Sequence, residues 1–139
     1  MKVIKFRDLE ERLRGKKASW KDLLAPKAGA VSVLMIGRDG CGGCNRIKPL
    51  LEKLAKSMAA KHAGRISFSR IHISCPGGSR EESLRSKAAL GHYYYPTTVI
   101  LVRSRDLGPF EYYRAISPSL SELRRSASGA LRAAEALAG

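Results

Sequence analysis

The stretch "GRDGCGGCNRIKP", residues 37–49, places Cys41 and Cys44 three positions apart with only glycines between them. It directly follows "AVSVLMI", residues 30–36, whose length and β-branched content predict a buried strand. From Cys44 onward, apolar residues recur at the spacing of one helical face as far as about His62. The two cysteines are therefore predicted at a strand-to-helix junction, with Cys41 in the first helical turn.

This junction suits a reactive thiol. The unpaired N–H groups and the dipole at a helix N-terminus favour a negative charge, so the thiolate of Cys41 is predicted to be stabilised. Cys44 falls in line with the apolar face of the helix and is predicted to be the more buried sulfur. Cys41 is then the attacking sulfur and Cys44 the resolving one. Gly42 and Gly43 carry no side chain, which leaves the backbone open to another chain.

Length and composition predict one domain spanning residues 1–139. With 44% hydrophobic residues the chain can build a core without a metal or a disulfide. Three cysteines are too few for a secreted disulfide scaffold, and residues 1–17 show no apolar leader segment. No apolar run approaches the roughly 18 residues of a membrane span. We therefore expect a soluble cytoplasmic protein without a membrane partner.

The chain is basic, with a formal charge of +14. Its basic residues are scattered, and the clusters at residues 14–17 and 124–125 are short. The segment "HYYYP", residues 92–96, does interleave aromatic residues with positive charge, as single-strand binders do. The pattern still favours a solvated surface that attracts acidic partners over a nucleic-acid binding surface.

Strand and helix periodicities alternate along the chain in the order β-α-β-α-β-α-β-β-α. The last helix is predicted to begin after Ser119, and the fourth strand and fifth strand to form a hairpin. The apolar residues of "RISFSRIHIS", residues 65–74, change parity midway, which predicts a bulge near Ser69 or Arg70. The order indicates an α/β fold whose parallel core is extended by antiparallel strands.

Two motifs together resemble the thioredoxin family. The first is the Cys-X-X-Cys pair at a helix start, followed by Pro49 five residues after Cys44. The second is "GHYYYPTTVILV", residues 91–102, in which Tyr95 and Pro96 precede a threonine and a hydrophobic strand. The resemblance covers nearly the whole chain. It implies the thioredoxin fold, a central mixed sheet with helices on both faces, and a cis Tyr95–Pro96 bond facing the dithiol.

The resemblance also implies an activity. The chain would be a thiol-disulfide oxidoreductase that exchanges disulfides with protein substrates through the Cys41/Cys44 pair. Gly42 and Gly43, together with Tyr95 and Pro96, would contact the substrate. An unidentified reductant or oxidant protein would recycle the pair, and no cofactor is implied.

The chain departs from the family pattern at three places. Gly40 stands where thioredoxins have tryptophan, and Met35 stands where they bury an aspartate. Asp39 is close in sequence but lies in the loop. The Gly-Gly dipeptide matches neither the reductases nor the oxidases and isomerases, so the resemblance leaves the direction of the reaction open.

A non-catalytic binding module, zinc-stabilised or directed to nucleic acid, is the alternative. Cys41 and Cys44 with His72 and Cys75 form a Cys-X2-Cys and His-X2-Cys set, which is typical of zinc sites. This alternative leaves Pro96 unexplained. Cys75 alone is predicted to be a small structural residue, with a second redox thiol as the alternative, because its strand ends at the same sheet edge as Cys41.

Overall fold

The computed structural model describes residues 1–139 and contains one five-stranded sheet and five helices. The elements follow the predicted order, with two short helices between the first two strands. The strands are β1 (Lys2–Lys5), β2 (Val31–Arg38), β3 (Ile66–Ile73), β4 (Thr97–Ser104) and β5 (Gly108–Ile116). The helices are α1 (Phe6–Leu13), α2 (Trp20–Leu24), α3 (Gly42–Lys61), α4 (Glu81–Leu90) and α5 (Leu120–Leu137), with a short 3-10 turn at Pro76–Gly78.

The sheet is mixed, with the strand order β1-β3-β2-β4-β5. Strands β1, β3 and β2 are parallel, whereas β4 pairs antiparallel with β2 and β5 antiparallel with β4. Central strand β2 is buried from Val31 to Gly37, as its apolar sequence predicts. The dithiol therefore follows directly on the carboxyl end of a buried central strand.

Helices cover both faces of the sheet and enclose two separate cores. Helices α3 and α5 pack on one face, and α1, α2 and α4 bury residues on the other. The first core includes Leu51 and Leu54 of α3 and Leu123 of α5. The second includes Phe6 of α1 and Leu90 of α4. The alternating βα units produce this arrangement, because each crossover helix must bury its apolar stripe against the sheet.

The bulge predicted near Ser69 or Arg70 was wrong. Strand β3 keeps an unbroken register with β2, from Ile66 opposite Val31 to Ile73 opposite Arg38. Both faces of β3 are covered, so its even-numbered and odd-numbered apolar residues each reach a core: Phe68 contributes to one core and Ile71 and Ile73 to the other. The only register shift in the sheet lies between β4 and β5, at Ile100 and Leu101.

Capping residues define the helix ends close to the predicted positions. Ser119 accepts a hydrogen bond from the amide of Glu122 at 3.1 Å, and α5 begins at the next residue. Helix α3 ends at Lys61 and α4 ends before Gly91, which adopts φ 76°. None of the helices is long and apolar enough to cross a membrane.

Candidate active site

Cys41 and Cys44 form a disulfide at the start of α3. Cys41 is the N-cap residue, and its Sγ accepts a hydrogen bond from the backbone amide of Cys44 at 3.1 Å. No acidic residue occupies the first turn of α3. The helix terminus therefore offers an N–H donor and a positive dipole end to the sulfur of Cys41, as the sequence predicts.

The two cysteines are equally buried, which corrects the prediction that Cys44 is the more buried of the two. Each is 6% exposed, and both belong to the core beneath α3 and α5. The disulfide holds the two sulfurs together, so Cys41 shares the burial that the apolar face of α3 gives to Cys44. The chemical asymmetry of the pair therefore lies in the cap hydrogen bond to Cys41, not in exposure.

The surroundings of Cys44 are apolar and closely fitted. A Cβ built on Gly37 would lie 3.0 Å from Sγ of Cys44 and 3.7 Å from the terminal methyl of Met35. Met35 occupies the place of the aspartate that thioredoxins bury, as noted above. Gly37 at the end of β2 leaves the space that the sulfur of Cys44 fills.

Asp39 does not replace the missing aspartate, because both of its carboxylate oxygens are engaged. One accepts a hydrogen bond from the amide of Cys75 at 2.8 Å, and the other pairs with Nε2 of His72 at 2.8 Å. The bond from the Cys75 amide, supported by His72, lowers the pKa of Asp39 below its usual value. Asp39 therefore anchors the end of β3 and stays ionised.

Pro96 meets the dithiol loop directly. The Tyr95–Pro96 peptide bond is cis, and Pro96 is buried. A Cβ built on Gly43 would lie 3.0 Å from Cδ of Pro96. The two sequence motifs, distant along the chain, thus form one site.

Tyr95 is a fixed, half-buried part of this site. Its hydroxyl is hydrogen-bonded to Oγ of Ser83 at 2.8 Å and to Oγ of Ser86 at 3.1 Å. If the three tyrosines alternated as in a strand, Tyr93 and Tyr95 would share one side and reach the core. Tyr93 is instead 80% exposed, and Tyr94 is 63% exposed. The segment is a loop before β4 rather than a strand, so the alternation does not apply.

The four residues of the predicted zinc set do not come together. Cys41 and Cys44 are bonded to each other, and His72 is paired with Asp39. Cys75 is a free, half-buried thiol near the same sheet edge. No group of three or more His, Cys, Asp or Glu side chains is arranged to hold a metal ion. The arrangement therefore does not favour the zinc-stabilised alternative.

Four residues that contribute to the site were not predicted from the sequence. The guanidinium of Arg46 lies 3.6 Å from the Cβ position of Gly42 and 3.7 Å from that of Gly43. Helical spacing could have indicated Arg46, since it lies one turn after Gly42. Gly37 and the serines that anchor Tyr95 had no comparable signal, because their role depends on tertiary packing.

Solved structures with the same fold include several thioredoxins. Fasciola hepatica thioredoxin is 20% identical, with a TM-score of 0.58 over 94% of this chain and 99% of that one. Mitochondrial thioredoxin 3 of Saccharomyces cerevisiae in its oxidised form is 14% identical, with a TM-score of 0.57 over 93% and 94%. Malassezia sympodialis thioredoxin is 18% identical, with a TM-score of 0.56 over 81% and 84%. These likenesses confirm the predicted fold.

No family model matches the chain, and no curated protein matches it. The function must therefore be argued from the site.

Proposed function

We propose that this chain, which has the thioredoxin fold and a Cys41–Cys44 disulfide, is a thiol-disulfide oxidoreductase that acts on protein substrates. The observation that carries the proposal is the position of the disulfide. Cys41 caps a helix N-terminus, and Gly43, between the two cysteines, lies against Pro96. A dithiol in this setting has a stabilised thiolate and a surface on which a substrate chain can lie.

In the reducing direction, the thiolate of Cys41 attacks one sulfur of a substrate disulfide. A mixed disulfide forms, and the other substrate sulfur leaves as a thiolate. The amide of Cys44, which donates to Sγ of Cys41 in the disulfide, is placed to stabilise the same sulfur as a thiolate.

Cys44 completes the exchange. Its sulfur attacks Sγ of Cys41, the Cys41–Cys44 bond re-forms, and the second substrate sulfur is released. The substrate gains two electrons and the protein dithiol loses them. Met35 and Gly37 border Cys44 and supply no carboxylate, so its proton passes to water or to the substrate thiolate that was released in the first step. The opposite direction runs through the same steps in reverse.

The substrate chain would lie across the Pro96 loop. Pro96 has no N–H, so it offers no donor to compete with the exchange, while the backbone of Tyr95 can pair with an extended chain. Gly42 is exposed, and Gly43 is half-buried against Pro96. A separate reductant or oxidant protein would recycle the dithiol, and a cytoplasmic location is part of this proposal.

Counting thiols at redox equilibrium tests the proposal. The oxidised protein has one free thiol, Cys75, among three cysteines. Equilibration with mixtures of reduced and oxidised glutathione, followed by alkylation and mass measurement, should show a reversible change between one and three free thiols. The Cys75→Ser variant should change between none and two. A pair that stays oxidised, or that opens only with unfolding, would contradict the proposal.

A further inference from the structure

A cleft of about 710 Å³ opens beside the dithiol, and the exchange chemistry makes no use of it. Its walls are the end of β2 and the loop after it, the segment between β3 and α4, the side of α4 from Ser83 to Lys87, and the tyrosines before Pro96. Gly40 lines the cleft and is covalently joined to Cys41. The cleft therefore extends to the residue next to the reactive cysteine.

The cleft carries unpaired positive charge. Arg38, Arg80 and Lys87 line it, and none of them forms a salt bridge. Arg38 donates only to the backbone oxygen of Asp39, at 2.8 Å. Asp39 is the single acidic residue in the lining, and both of its carboxylate oxygens are already bonded, one to the Cys75 amide and one to His72. Three cations thus face a cleft that offers them no free carboxylate.

The ring of Tyr95 contacts two of these cations, and the neighbouring tyrosines extend the surface. The guanidinium carbon of Arg38 lies 5.5 Å from the ring centre of Tyr95, and Nζ of Lys87 lies 5.6 Å from it. Tyr93 and Tyr94 line the same cleft with largely exposed rings. Exposed tyrosines supply apolar contact area together with a hydroxyl, which suits a polypeptide ligand.

We propose that this cleft binds an acidic segment of the protein whose disulfide is exchanged at Cys41. Carboxylates close in sequence to the substrate cysteine would meet Arg38, Arg80 and Lys87. The inference rests on the proposed function, since the segment belongs to the exchange partner. A polypeptide is favoured over a nucleic acid because Gly40, which lines the cleft, is next to the cysteine that exchanges disulfides with proteins. An extended chain advances about 3.3 Å per residue, so acidic residues a few positions away reach the cleft.

The free thiol of Cys75 reports on occupancy of the cleft without any redox reaction. It lines the cleft and is the only free thiol of the oxidised protein. A cysteine-free, glutamate-rich peptide should slow the alkylation of Cys75 by iodoacetamide severalfold. The same peptide with glutamine in place of each glutamate should not, and added salt should remove the protection. Equal effects of the two peptides would overturn the inference.

Two double variants with the same change in net charge test whether the protection of Cys75 depends on the cations of the cleft. Arg80→Glu with Lys87→Glu reverses two cations of the cleft and should abolish the protection. Lys53→Glu with Lys56→Glu makes the same change in net charge at exposed positions of α3 and should preserve it. Loss of protection in both double variants would mean that only the overall charge of the protein matters. It would overturn the inference that the acidic segment binds in the cleft.

Exchange rates separate this inference from the proposed function. Wild-type protein should exchange a disulfide flanked by glutamates with a kcat/KM about tenfold higher than one flanked by glutamines. The cleft double variant should lose this preference and keep its rate with neutral hydroxyethyl disulfide. Equal rates for both peptides, with no protection of Cys75, would overturn the inference and leave the proposed function standing. An inert dithiol with protection intact would overturn the proposed function alone.

A nucleic acid is the remaining ligand class to test. A single-stranded oligonucleotide that protects Cys75 where the glutamate-rich peptide does not would overturn the inference and assign the cleft to nucleic acid.

Discussion

Gly43 lies so close to Pro96 that a Cβ added at Gly43 would be 3.0 Å from Cδ of the proline. This contact joins the start of α3 to the loop before β4 and sets the width of the site between them. Gly42, the other glycine between the cysteines, has no such constraint. Its Cβ position is 3.6 Å from a nitrogen of Arg46, which is an ordinary contact with the end of a flexible side chain.

We therefore expect different results from an alanine at position 42 and an alanine at position 43. Gly42→Ala should raise the free energy of unfolding of the oxidised protein by about 0.5 kcal/mol, because alanine favours the helix. Gly43→Ala should lose that gain against Pro96 and slow exchange with protein substrates. Urea unfolding and insulin reduction measure the two effects. Equal stabilisation by both substitutions would show that the Pro96 contact does not constrain Gly43.

Replacing Gly37 with alanine should destabilise the protein more than either substitution between the cysteines, because Gly37 packs against Cys44. A Cβ there would lie 3.0 Å from Sγ of Cys44 inside a buried strand, where the backbone has little room to shift. Gly37→Ala should cost about 1–3 kcal/mol of unfolding free energy, as overpacked cores do. It should also slow the resolving step more than the attack by Cys41. Quenched single-turnover reactions should then show the mixed disulfide accumulating, and unchanged kinetics would contradict this account of Cys44.

His92 is a buried histidine whose protonation should lower the stability of the folded protein. It is 2% exposed, contacts the ring of Tyr95 at 4.9 Å between centroids, and neither ring nitrogen has a hydrogen-bond partner. Burial, together with the nearby charges of Arg114 and Lys87, lowers the pKa of His92 to about 4. The folded state therefore favours the neutral ring.

The consequence for stability has a defined sign. Because the folded pKa of His92 is below the unfolded value of 6.5, its contribution is fully present above pH 6.5 and is lost as the pH falls toward 4. The loss should reach about 3 kcal/mol. His92→Phe, which keeps a ring against Tyr95, should flatten the stability profile over this range, whereas His62→Gln should not. Parallel profiles for wild type and His92→Phe would contradict the assignment.

The sequence predicts the fold well because its strong signals are local ones. The apolar run of β2, the helical spacing of α3 and the cap at Ser119 each depend on a few neighbouring residues. The parity change in β3 was misinterpreted as a bulge because one strand in isolation does not show that both of its faces are covered. Tertiary packing, not strand irregularity, accounts for Phe68 and Ile71 facing opposite cores.

The sequence predicted the reactive cysteines of the site but not the residues that pack around them or bond to Tyr95. The spacing of Cys41 and Cys44 and their place at a helix start indicated the dithiol. The space that Gly37 leaves for Cys44, and the hydrogen bonds from Ser83 and Ser86 to Tyr95, arise where separate elements meet. The equal burial of the two cysteines also follows from the bond between them, which helical spacing does not include.

Thiol trapping tests the central claim most directly, that Cys41 attacks and Cys44 resolves. Wild type and the variants Cys41→Ser, Cys44→Ser and Cys75→Ser are reduced, freed of reductant and mixed with insulin, and mixed disulfides are separated on a non-reducing gel. Cys44→Ser should trap insulin through Cys41, because the thiol that resolves the intermediate has been removed. Cys41→Ser should trap little, and Cys75→Ser should behave like wild type. Equal trapping by Cys41→Ser and Cys44→Ser, or trapping that requires Cys75, would contradict the account.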